Sequence, residues 1–186
     1  MTTYVIKNSS NDVLRIEQGG FTPVAGLGEL VTTTSLSFPG WPSQPGKILR
    51  YINNNFVEVD TRNLTDVKTA KNLEINAARM AANQNYFVYS GKHIACDPLS
   101  RSDIDAVNGI VSLLGTLPVN FPGAWKAMDN TYVTIPDKNA WISFYGAMVS
   151  QGTTNFTYSQ TLKATLASAT TLAEVDAIQW TLVPGA

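Results

Sequence analysis

The chain has 186 residues, enough for one medium domain or two small ones, and its 44% hydrophobic content is ordinary for a globular protein. Thirteen basic and fourteen acidic residues leave a formal charge of -1, so no strong field draws in nucleic acid or an anionic membrane. No apolar stretch approaches the roughly 18 residues of a membrane span, no signal-peptide pattern is visible, and the single Cys96 excludes an internal disulfide while leaving an intermolecular one open.

Charged residues make up only 15% of the chain. The surface must therefore be covered largely by Asn, Thr, Ser and Gln, which suits a protein that packs against other proteins. Asn-x-Ser/Thr triplets begin at Asn8, Asn63 and Asn155 and read as chance matches in the absence of a secretory signal.

The fold class read from the chain is α+β: an N-terminal antiparallel β-hairpin module over 1–62, a connecting amphipathic helix over 63–85, and a small α-rich domain with short hairpins over 86–186. "TYVIKN" and "DVLRIEQ" flank the polar turn "SSND" and predict a hairpin. "GGFTPVAGLGELV" reads as a loop with short extended pieces. "FPGWPSQPGK", from Phe38 to Lys47, has three prolines and two glycines, which exclude helix and a central strand and predict an extended loop displaying Trp41. "ILRYI" and "FVEVD" flank Asn53, Asn54 and Asn55, residues that tolerate positive φ, and predict a second hairpin.

From Asn63 the chain lacks Gly and Pro through "NLTDVKTAKNLEINAARMAANQNYF". The reading is a helix of about 20 residues, capped by Asn63 or Thr65, with an alanine-rich stripe of Val67, Ala70, Leu73, Ala77 and Met80 or Ala81. "YFVYSGKHIACD" predicts a hairpin turning at Ser90–Lys92. Ser100 or Ser102 is expected to cap the next helix, which Gly115 and Pro118 end. A strand over Tyr132–Ile135 leads through Pro136 into a helix carrying Trp141, Tyr145, Met148 and Val149 on one face. Gly152 is expected to interrupt it, and a last helix begins at Thr170 or Thr171.

Few residues invite catalytic chemistry. His93 and Cys96 lie three apart in a predicted strand, so their side chains point to opposite faces rather than forming a dyad. One His and one Cys cannot build an ordinary zinc site. Asp103 and Asp105, and likewise Glu174 and Asp176, are placed in helix first turns, where acids favour the positive end of the dipole. Asp129 and Asp137 could be a glycosidase-like pair, but a turn and a helix start explain them locally. No phosphate-binding motif is present; "GLGEL" lacks the required spacing. No enzyme activity, cofactor or metal is expected. The aromatic residues Phe21, Phe38, Trp41 and Tyr51 collect in the N-terminal half, and Trp41 in its proline-rich loop is the one least suited to a core.

The C-terminal run "FVYSGKHIACDPLSRSDIDAVNGIVSLL", then "WKAMDNTYVTIPDKNAW" and the closing "FTYSQTLKATLASATTLAEVDAIQW", resembles a small domain of unknown function common in tailed-phage proteins and often found near tail-fibre assembly genes. The likeness spans about residues 86–180; family members often carry a variable N-terminal module, which would set partner choice. The resemblance implies a non-catalytic tail-fibre assembly chaperone, in the host cytoplasm during assembly or retained in the virion tail. Its expected partners are the trimeric tail-fibre protein and a second copy of the chain, not nucleic acid or membrane. Phe38, Trp41, Tyr51, Leu73 and Ala77 are the expected partner-binding residues, acting by apolar docking beside strand addition from a hairpin edge. The alternatives are a permanent fibre-attached or baseplate adaptor, and a glycan-binding tail tip built on Trp41.

Overall fold

The computed structural model describes residues 2–182 and has the mixed α+β architecture read from the sequence, strands first and helices later. It divides into two compact units, Met1–Asn63 and Leu64–Ala186.

In the first unit β1 (Thr2–Lys7), β2 (Val13–Gly19) and β3 (Leu30–Thr34) form an antiparallel sheet ordered β2-β1-β3. Asn8 Oδ1 accepts the backbone N–H groups of Ser10 and Asp12 and shapes the β1–β2 turn. β3 is more than the loop expected of this region. Its short Leu-Val-Thr-Thr-Thr run follows a glycine-rich stretch and carries little periodicity. Yet β1 buries Tyr4, Val5 and Ile6 in succession, as a strand covered on both faces does, and it pairs on both edges, including Ile6 with Val31.

β4 (Lys47–Ile52) and β5 (Asn55–Asp60) make the second hairpin. Its two-residue turn holds Asn53 and Asn54 at φ 49° and 61°, the positive values a tight hairpin needs. The hairpin is stitched to the first sheet by a bridge between Asp12 and Arg50, whose side chains meet at 2.6 Å. The Tyr51 N–H donates to Asn11 O at 2.9 Å. Val5, Val13, Leu49 and Tyr51 form the small core between them.

The second unit begins with α1 (Leu64–Asn83), with Asn63 at the N-cap position and Thr65 inside the helix. α1 is not the connector expected over 63–85. It runs antiparallel to α3 (Lys138–Ser168): Lys68 Nζ reaches Ala167 O at 3.0 Å, and Asn155 Nδ2 donates to Asn83 Oδ1 at 2.8 Å. Ile75 is buried with Leu166, Ala169, Val175 and Ile178. The expected apolar stripe splits between two faces: Ala70, Leu73, Ala77, Met80 and Ala81 are all exposed, whereas Val67 packs toward the core. The core takes Leu64, Val67 and Ile75, a sparser series that carries less alanine and is easily overlooked.

β6 (Tyr86–Tyr89) and β7 (Lys92–Ala95) pair across Ser90 and Gly91, both at positive φ. α2 (Pro98–Leu114) is capped by Asp97, not by Ser100 or Ser102. Pro98 fills the first helical position, where no N–H is needed, and Asp97 Oδ1 accepts from Leu99 N and Ser100 N. Asp103 and Asp105 consequently lie beyond the first turn. Asp105 instead meets Arg101 at 3.8 Å and accepts from the Tyr145 hydroxyl. Gly115, at φ 70°, closes the helix in the left-handed conformation.

β8 (Ala124–Lys126) and β9 (Tyr132–Thr134) lead into α3, which is capped by Asp137 through Ala140 N at 2.9 Å. α3 has 31 residues and passes through Gly152 without a break. Met148, Asn155 and Ser159, buried on either side of Gly152, keep one face packed across it, and that outweighs the about 1 kcal/mol that an interior glycine costs. α4 (Leu172–Asp176) is capped by Thr171 in a capping box with Glu174, while Asp176 ends this short helix rather than starting it. The main core gathers Phe87, Ile94, Ile104, Ile135, Trp141 and Phe144. Trp125 and Trp141 stand 5.7 Å apart between ring centres and pin the β8–β9 hairpin to α3.

Candidate partner-binding surface

In the first unit an aromatic chain grows from the β4–β5 hairpin. Tyr51 and Phe56 are cross-strand partners with ring centres 5.0 Å apart. Phe38 packs edge-on to Phe56 at 5.9 Å, and Trp41 packs edge-on to Phe38 at 5.2 Å. Burial falls along this chain. Tyr51 is core, 3% exposed, while Trp41 is 52% exposed. Tyr51 is therefore corrected from a contact residue to a supporting one: its hairpin register points it inward beside Leu49 and Val13. Phe38 is partly buried and fixes the Trp41 ring. Phe56, which completes the support, had a sequence signal in its position next to the Asn turn.

The loop between β2 and β3 displays Phe21, Val24 and Leu27, all exposed. Its base is latched by polar groups. Arg15 Nη1 meets Glu29 Oε1 at 2.6 Å, Arg15 Nη2 donates to Val24 O at 3.4 Å, and Glu29 Oε2 accepts from Gly26 N at 2.7 Å. The Gly26 N–H and then Arg15 hold the Glu29 carboxyl below its usual range. Arg50 and Asn8 do the same for Asp12, and Arg62 for Asp60. The loop's apolar residues are thus carried on a base anchored by charge rather than folded into the core. The sequence offered no pattern to separate Val24 and Leu27 from core residues.

In the second unit Leu73 and Ala77 are exposed on α1, as contact residues must be, with Met80 beside them. The residues that invited chemical readings stand apart in local structure. His93 stacks on Tyr86 with ring centres 4.2 Å apart, whereas Cys96 is buried, and burial raises its thiol pKa above the ordinary value. Asp129 accepts from Lys92 Nζ at 2.8 Å and from the Thr131 backbone and hydroxyl, and these partners, Lys92 foremost, hold its carboxyl well below the usual range. An open cleft of about 430 Å³ beside it is lined by Gly91, Lys92, His93, Met128 and Asp129, and Asp137 is not among its walls. Asn155 is buried and bonded to Asn83 and Gln151, so a glycan cannot sit there. Among the described residues no group of three or more His, Cys, Asp or Glu could hold a metal ion, and no helix is long and apolar enough to cross a membrane.

Residues 66–179 match the family described as "Domain of unknown function (DUF4376)", and because the match covers more than half of the chain, the chain belongs to that family. The matched region includes nearly all of α1, so the helix belongs to the family domain by sequence as it does by packing. No curated protein and no solved structure matches the chain.

Proposed function

We propose that the chain is a non-catalytic assembly helper for a phage tail fibre, with its first unit making the contact. The reading is supported by one observation above the others. The first unit holds Trp41 half in water on a Phe38–Phe56–Tyr51 support, and carries Phe21, Val24 and Leu27 on a loop anchored by Arg15 and Glu29. Ordered aromatic and aliphatic side chains in water are what a protein uses to cover another protein's apolar surface. An unfinished fibre trimer presents such surface, together with unpaired strand edges, and both are aggregation hazards. The tail-fibre identity of the partner rests on the sequence resemblance.

The test is co-expression of a tail-fibre protein from the same genome with the wild-type chain, with Trp41→Ala, and with no helper. Soluble trimer should be highest with the wild type and fall several-fold in the other two. An unchanged trimer yield without the helper sinks the chaperone reading. Mass spectrometry of purified virions separates a departing helper from a resident tail part, since stoichiometric presence belongs to the latter. Loss of glycan-array binding in Trp41→Ala would instead favour a carbohydrate-reading tip.

A further inference from the structure

α1 buries one face against α3 and α4, but the opposite face is also apolar. Ala70, Leu73, Ala77 and Met80 are exposed at spacings of three, four and three, the repeat of a coiled-coil seam. Leu73 is 64% and Met80 59% exposed. A surface helix is expected to turn a polar back to solvent; this one carries two large and two small apolar residues there.

We propose that this face binds a second copy of the chain, with the two α1 helices antiparallel about a two-fold axis between Leu73 and Ala77. The order of side chains selects this arrangement. About that axis Leu73 meets the partner copy's Ala77, and Ala70 meets its Met80, so each large side chain fills the space over a small one. Every contact occurs twice, as a two-fold interface requires. A parallel pair would stack Leu on Leu and Met on Met, leaving gaps at both alanine layers. The charges agree. The antiparallel seam ends with Asp66 over the other copy's Gln84, whereas a parallel seam would put Asp66 against Asp66. Glu74 alone comes near its own copy, beside the axis, and each carboxylate is already engaged by Lys71 of its own helix at 2.6 Å.

The area sets the strength. A helix of 20 residues offers a strip about 30 Å long and about 10 Å wide, well below the roughly 800 Å² per partner of a tight complex. The dimer is therefore a weak one, populated only as the protein concentration rises. It assigns Leu73 and Ala77 to self-association, and it stands independently of the fibre reading, giving each particle two copies of the first unit and hence avidity for any repeated target.

Sedimentation velocity of the full chain over a concentration series tests it. Wild type should pass from monomer to dimer, and Leu73→Glu should remain monomeric with an unchanged thermal melt. Glu74→Gln should dimerise several-fold more tightly, because it removes the like charges beside the axis. Orientation is read by oxidative cross-linking. A mixture of Ala70→Cys and Met80→Cys chains should link, whereas neither variant should link to itself, and buried Cys96 provides a common background. A wild type that stays monomeric at all concentrations, a trimer, or self-linking by each single variant would overturn the proposal.

Discussion

Both units leave large apolar side chains in water, Leu73, Leu113 and Phe156 in the second among them, but they differ in how much they enclose. The second encloses an aromatic cluster in which Trp141 and Phe87 each pack on Phe144, all three almost wholly buried, with Trp125 and Tyr89 in ring contact at its edge. The first encloses only a handful of residues around Val5 and Tyr51, and leaves Phe21, Val24, Leu27 and half of Trp41 in water. Burial is the main source of folding free energy, so the second unit holds its shape with a reserve that the first does not have. The first relies more on polar stitching, through Asp12–Arg50, Arg15–Glu29 and Asp60–Arg62. A unit that keeps apolar side chains for a partner gives up part of its own stability to do so.

The sharpest way to break this comparison is Trp141→Ala. Removing a fully buried indole at the centre of the aromatic cluster should cost about 3–5 kcal/mol. Hydrogen exchange read peptide by peptide should show the loss throughout residues 64–182, with β1 to β5 unchanged. In the wild type the same measurement should find the strands of the first unit opening more readily than α2 and α3. Equal loss of protection in both units would mean that they fold as one and that the contrast is only apparent.

Acid probes the polar side of the comparison. The lowered carboxylates are Asp12, Glu29 and Asp60 in the first unit and Asp97, Asp129 and Glu174 in the second. A carboxyl whose folded pKa lies below its unfolded value of about 4 stabilises fully above that value, and the contribution is lost as pH falls through the folded pKa. Melting temperature should therefore be flat between about pH 7 and pH 5 and fall below about pH 4. With less burial in reserve, the first unit should be the first to lose exchange protection. All six groups are solvent-screened, so added salt should flatten the dependence. A rise in stability on acidification would contradict the assigned ion pairs.

Asp137→Ala comes next, at about 1 kcal/mol for the loss of a helix N-cap. Urea unfolding of the second unit reads it, and a cost well above that would mean that Asp137 has a partner besides Ala140 N. This position also marks what was legible in the sequence. Hairpin turns at Asn53–Asn54 and Ser90–Gly91, the Gly115 stop and the Asp137 start were all readable, because each is fixed by one or two residues with a local conformational demand. What failed was the assignment of faces and partners. The α1 stripe was read as one continuous apolar face because alanines at helical spacing look alike on either side of a helix, but Val67 packs toward the core while Leu73 and Ala77 face solvent. β3 was missed because its existence depends on the unpaired edge of β1, a property of the assembled sheet. Tyr51 was placed on the surface because nothing local distinguishes an inward from an outward tyrosine, whereas Trp41 was marked out by its prolines.

Gly152 carries the smallest expected effect and the opposite sign. Read locally, a glycine should interrupt the helix, but α3 continues through it. If no close approach required the glycine, its flexibility would merely be tolerated. A Cβ built at Gly152 meets nothing within 4 Å, and its φ is not in the left-handed range. Gly152→Ala should therefore stabilise the second unit by about 0.5–1 kcal/mol, chiefly by restricting the unfolded chain. Gly115 is the control. Its surroundings are equally open, but its φ of 70° strains any side chain, so Gly115→Ala should destabilise. Opposite shifts in melting temperature for the two alanines would show that the helix is continuous because of packing rather than because of local sequence. If Gly152→Ala destabilised instead, the helix at that turn would need its glycine, for a neighbour that the isolated chain does not contain.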